Sequence, residues 1–209
     1  MNFWKRLIGS GREKPANPAL AKVRLHFPSP TPRQSTVIER VPRLAATFSQ
    51  GADYVSERVI IDLMREYDER FRSGILRQLS DERRQRITRQ TLHYMMFHAY
   101  AQLSSRVDDP NLAGLLLDAV HFEIFGSLPQ EQGSFVEFLR YENRNFEDPA
   151  YAPAFKFGQD LAGITEMADI NLPMMLSQQS PLIAELTRQL VQLAVSEEAA
   201  PSPPSGAPP

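Results

Sequence analysis

Three of the four histidines, His93, His98 and His121, fall in stretches with helical periodicity, so the first chemistry to weigh is a metal site inside a helical bundle. Helix geometry decides which of them can cooperate. At about 100° per residue, His93 and His98 point about 140° apart and cannot ligate one ion from a regular helix. Asp118 and His121, three positions apart, share a face. Glu123, Glu137 and Glu142 could complete a mononuclear site with His98.

An acid-x-x-His pair is one fragment of the ligand set used by carboxylate-bridged di-metal bundles, which require two such pairs and two further inward carboxylates. This chain offers one pair, and its acid is Asp118. The set His98, Asp118 and His121 therefore stands as an alternative. The preferred reading is structural, with the histidines partly buried and hydrogen-bonded to carboxylates or carbonyls. With no cysteine, disulfides, thiolate zinc sites and cysteine nucleophiles are excluded. No G-x-S-x-G, S-x-x-K, H-E-x-x-H or glycine-rich phosphate loop occurs, so no catalytic residue and no cofactor is assigned.

A second constellation is the arginine group Arg77, Arg83, Arg84, Arg86 and Arg89. Arg86 and Arg89 lie on a stripe that continues to His93, so Arg83, Arg86 and Arg89 are candidates for holding an anion. Asp81 and Glu82 interrupt the group, and the chain beyond it is strongly acidic. That balance favours a solvated, salt-bridged face over a nucleic-acid site, which would show a net basic surface with interleaved aromatics.

The third constellation is the N-terminus. Phe3, Trp4, Leu7 and Ile8 fall on one side of a short helical segment, with Lys5 and Arg6 on the other. This is the pattern of an interfacial anchor, helped on anionic lipid by Arg12, Lys14, Lys22 and Arg24. The same apolar side chains could instead dock into a groove on a protein, as helix-in-groove peptides do.

The elements that must position these residues read as all-α. From Ser80 to Val107 there is neither proline nor glycine, and the stretch passes from arginine-rich and polar to nearly continuous apolar residues. One long helix should run from the surface into the interior, with Ser80 as N-cap and Asp81 and Glu82 in its first turn. A preceding helix is expected near Asp53 to Arg72, with Ile60, Leu63, Met64, Tyr67 and Phe71 on one stripe and Gly74 ending it. A following one starts at the cap-plus-proline Asp109-Pro110 and ends at Gly126, with almost no polar face. Further helices are expected from Ser134 (or Ser127), from Phe155 to Ile170, and from Ser180-Pro181, the last carrying Leu182, Leu186, Leu190 and Leu193. Five prolines between 10 and 35 speak against a packed helix there, and the alternation of Val23, Leu25 and Phe27 suggests an extended strip laid over the domain.

The expected organisation is a single bundle of about six helices over 46–195, a flexible basic N-terminal arm over 1–45, and a disordered Pro-rich tail over 196–209. The formal net charge of −2 conceals a gradient: residues 1–43 carry +7, residues 44–106 carry +2, and residues 107–209 carry −11. The basic start therefore faces either an anionic partner or the acidic half of its own chain. No apolar run approaches the roughly 20 residues of a membrane span, and the start lacks the features of a secretory signal, so a cytoplasmic setting is expected. The favoured function is a non-enzymatic helical adaptor, chaperone-like or assembly protein. It would bind a protein partner, with peripheral membrane contact through the N-terminal segment as a second place of action.

Overall fold

In the computed structural model of the chain, residues 15–129, 153–166 and 170–195 are described. Among them every regular element is helical. The first helices are α1 (Pro18–His26), α2 (Pro32–Glu39) and α3 (Val41–Val55), the last continuing through a π-helical stretch, Ser56–Ile61, into α4 (Asp62–Phe71). A 3₁₀ turn, Ile75–Gln78, leads to the long α5 (Asp81–Ser104) and then α6 (Pro110–Phe125). Beyond these lie α7 (Pro153–Ile164), α8 (Asn171–Ser177) and α9 (Ser180–Val195).

Local chemistry accounts for most of the boundaries. Ser80 Oγ accepts from Arg83 N–H at the start of α5, and Asp109 accepts from Asn111 N–H at the start of α6. Gly126 ends α6 in the left-handed region, at φ 71°. Arg72 takes the same conformation after α4, at φ 49°, and the Asp68 carboxylate accepts from Gly74 N–H and Ser73 Oγ to hold the turn. The helix expected near Asp53 starts earlier, because Asp53 lies inside α3 and Phe48, Leu44 and Val41 extend the buried stripe backwards.

The expectation for residues 10–35 is overturned where that stretch is described. Pro18 and Pro32 occupy the first helical positions of α1 and α2, where proline's missing N–H would be unpaired anyway. Asn17 caps α1 by accepting from Ala19 and Leu20 N–H, and Thr31 with Gln34 forms a reciprocal capping box on α2. Val23 is buried with Ala19, while Leu25 is exposed, so α1 is a packed helix and no extended strip. It lies against α6, where Asn17 Nδ2 donates to Ala119 O at 2.8 Å.

Two helices organise the interior. α5 packs against α3, α6, α7 and α9, and α3 packs against α5, α6 and α9. Their shared core includes Phe48, Ile60, Met64, Tyr94, Met95 and Phe157, with the Tyr94 and Phe157 rings stacked at 4.1 Å. The Tyr94 hydroxyl reaches Ser180 Oγ at the first turn of α9. The leucine stripe read for α9 is rotated: Ile183, Thr187, Val191 and Ala194 are buried, whereas Leu182 and Leu193 are exposed. Gly158 of α7 permits a close crossing with α8, since a Cβ there would lie 2.2 Å from Pro173 O. The helix expected from Ser134, with Glu137, lies outside the described residues, as do the N-terminal segment and the Pro-rich tail.

Candidate functional site

The long helix places two groups of chemistry-bearing residues side by side. The first is a cleft of about 660 Å³ at its polar half, lined by Asp53, Glu57, Glu82, Arg84, Gln85, Arg86, Thr88, Arg89, Leu92 and Phe125. Positions 82, 85, 86, 89 and 92 recur at helical spacing, so one stripe of α5 forms a wall. Asp53 and Glu57 face it from the end of α3 and the π-helical stretch, and Phe125 closes it from the last turn of α6. A π-helical turn widens the helix where Glu57 projects, a device that often accompanies functional positions.

Within the cleft Arg84 is committed, its Nη1 pairing with Glu57 at 3.0 and 3.3 Å. Arg89 lies over the Phe125 ring, 5.4 Å from its centroid, in a cation–π contact. Arg86 is exposed. Of the anion-binding set read from the sequence, Arg86 and Arg89 come together and Arg83 does not. Arg83 pairs with Glu166 at 2.7 Å and donates to Gln78 O at 3.0 Å, away from the cleft. Arg84 takes its place, which the sequence could not indicate because the partner that draws it in is 27 positions away.

The second group is buried behind the arginine stripe. His93 on α5 and His121 on α6 have rings nearly parallel, 9° apart, with centroids 6.4 Å apart, and Phe125 packs against His121 at 4.5 Å. His121 Nδ1 bonds Ser127 O at 2.9 Å; with the ring neutral, Nδ1–H is the donor. Neither nitrogen of His93 has a partner among the described residues. Burial pushes His93 down to about 3, with the positive charge of Arg89 and the neighbouring His121 acting in the same direction. His121 is lowered to about 4, chiefly by burial, against the opposing pull of Ser127 O. Both are neutral at pH 7.

The alternative metal set is not assembled. His98 packs edge-on against Tyr94 at 4.6 Å and beside Phe97, in a different part of the interior from His121, and burial lowers it to about 4. Among the described residues no group of three or more His, Cys, Asp or Glu side chains could hold a metal ion. Glu137 and Glu142, the further acids considered for that site, lie outside the described residues. So do Phe3, Trp4, Lys5, Arg6, Leu7 and Ile8, the candidate partner- or membrane-binding segment.

The expectation that the histidines would hydrogen-bond to carboxylates or carbonyls holds for His121, through Ser127 O. For His93 it gives way to packing between aromatic rings. No helix among the described residues is long and apolar enough to cross a membrane. Compared with known protein families, with curated proteins and with solved structures, the chain matches none.

Proposed function

We propose that the protein is a non-enzymatic helical adaptor or assembly protein that holds a protein partner in the cleft between α3, α5 and α6. The observation that supports this reading is the make-up of that cleft. It is open and joins charges of both signs to an aromatic wall, as partner-binding surfaces enriched in arginine and aromatic residues do. The neutral histidines that would serve general acid–base work are packed behind it, and the lining side chains include no histidine. Binding, with no chemical step, is what such an arrangement can perform. The N-terminal segment, with Trp4 and its basic neighbours, would add a second tether to a partner or to a membrane surface.

The test is affinity capture from the native cell with the full chain and with Arg86→Glu. A protein recovered in stoichiometric amount by the natural chain and lost with Arg86→Glu is the expected result. Equal recovery with both chains removes the cleft from the proposal. Stoichiometric transition metal in untagged protein would favour the competing reading, a small helical-bundle metal- or ligand-binding enzyme.

A further inference from the structure

The leucines of α9 do not all serve the core. At about 100° per residue, Leu182, Leu186 and Leu193 fall within about 40° of one another, and Leu190 lies about 40° further towards the core. The buried side, with Ile183, Thr187, Val191 and Ala194, is centred about a third of a turn away. Leu182 is therefore 52% and Leu193 60% exposed, with Leu186 and Leu190 half-buried between them. A surface helix ordinarily turns polar residues to such a flank. Here a row of leucines runs along it for about 16 Å. Gln189 falls on the same arc, but its Nε2 donates to Glu185 Oε1 at 2.7 Å, which holds the amide to the polar side.

Three observations indicate what covers this row. Glu185 and Arg188, the only charged residues of α9, pair with each other at 2.6 and 2.8 Å, so the rim is neutral and meets an identical rim without repulsion. The ends of the chain itself are poorly suited to the row. Residues 196–209 contain no large apolar side chain. The apolar N-terminal segment ends at Ile8, about 24 Å from Pro15 at full extension. The α1 helix that follows Pro15 is separated from α9 by three successive helix contacts, α1–α6, α6–α3 and α3–α9, of about 9 Å each, and the leucines lie on the outer flank. Finally, the row has nearly the same spacing in either direction, four, four and three positions. Antiparallel pairing about residue 188 sets Leu182 opposite Leu193 of a second copy and Leu186 opposite its Leu190.

We propose that α9 is a self-association surface, through which two copies of this chain pair about a two-fold axis with their α9 helices antiparallel. One helix flank per copy places the contact at the small end of specific interfaces, below about 1,200 Å² in total, so the dimer is reversible, with a Kd on the order of 10–100 µM. The cleft between α3, α5 and α6 has no residue of α9 in its lining, so pairing leaves it open and a dimer presents two clefts. Self-association does not depend on what the cleft binds.

Sedimentation velocity on the full chain tests this. The natural chain should pass from monomer at about 3 µM to mostly dimer at about 300 µM. Leu182→Glu and Leu193→Glu should each weaken the dimer at least about tenfold with little change in melting temperature, because both side chains are exposed. Leu25→Glu, at an exposed leucine of α1, should leave it unchanged. A natural chain that stays monomeric at about 300 µM overturns the proposal; a loss of stability on Leu182→Glu would then show the row to be covered by the chain itself. Dimerisation within twofold of the natural chain in both α9 variants overturns it equally.

The chain has no cysteine, so disulfide capture reads the pairing directly and without relying on the glutamate variants. The double variant Leu182→Cys/Leu193→Cys should oxidise to a covalent dimer. Each single variant should give at most about a tenth as much, since antiparallel pairing holds the two copies of either position about 16 Å apart, beyond the reach of a disulfide. Equal yields from the single and double variants overturn the antiparallel pairing.

Discussion

The rings of His93 and His121 face one another across the α5–α6 contact, nearly parallel with centroids 6.4 Å apart, and both are almost wholly removed from solvent. Two imidazoles so placed are compatible with the fold only while neutral. Protonation of either would put a charge between apolar helices and beside Arg89, which already disfavours it.

Stability should therefore fall on mild acidification. The folded-state pKa of His93, about 3, and those of His98 and His121, about 4, lie below the unfolded value near 6.5. The unfolded chain binds more protons in between, so the stability present above about pH 6.5 is lost as pH falls towards the folded values. Each such histidine costs up to about 1.4 kcal/mol per pH unit across that window. Urea midpoints measured from pH 7 to pH 4.5 should decline steeply, and His93→Phe should flatten the slope whatever it does to absolute stability. A flat profile in the natural chain would contradict the burial of these rings.

The fold should include residues N-terminal to 46. Asn17 both caps α1 and ties it to Ala119 O and Glu123 Oε1 of α6, at 2.8 and 3.3 Å. Asn17→Ala should cost about 1–2 kcal/mol, read by equilibrium unfolding. Limited proteolysis should spare the chain between residues 18 and 45. A resistant fragment beginning at 46 would mean that α1 and α2 are not held by the contacts described.

Two helical glycines should respond oppositely to alanine. Gly158→Ala forces a Cβ to within 2.2 Å of the Pro173 carbonyl oxygen, a backbone atom that can move only with α8. A loss of about 1–3 kcal/mol is expected. At Gly114, inside α6, an added Cβ meets nothing within 4 Å, and Gly114→Ala should stabilise by about 0.5–1 kcal/mol. Thermal melts of the two variants check both signs, and a neutral Gly158→Ala would dismiss the tight α7–α8 crossing.

Trp4 is the only tryptophan of the chain and reports on its N-terminal segment. If that segment docks on protein, its emission should be blue-shifted without lipid and return to a solvent-like value on unfolding. A shift that appears only with anionic vesicles, and weakens with salt, would place the segment at a membrane surface instead. Solvent-like emission in every condition, the partner included, would remove the segment from the proposal.

Much of the architecture was written locally. Ser80, Asp109-Pro110, Gly126 and Ser180-Pro181 mark helix ends through the bonding needs of four or five neighbouring residues, and the polar-to-apolar passage of α5 marks which half enters the core. The same proline rule applied at Pro18 and Pro32, but prolines crowded over a short stretch read as a linker. Only their buried faces, Ala19 and Val23 on α1 and Val37 and Ile38 on α2, show that those helices are worth forming.

The candidate site depended on contacts between distant positions. Spacing along α5 put Arg86, Arg89 and His93 on one stripe, yet nothing in the sequence near them specifies His121, Phe125 or Glu57 as neighbours. The packing of α6 and of the π-helical stretch against α5 decided that Arg89 covers an aromatic ring, that Arg84 turns inward to Glu57, and that Arg83 turns away to Glu166. Caps and periodicities are set by energies acting within a turn or two of helix, so a sequence displays them. The choice of which faces meet is made by burial of the whole core, which becomes legible only when the helices are assembled.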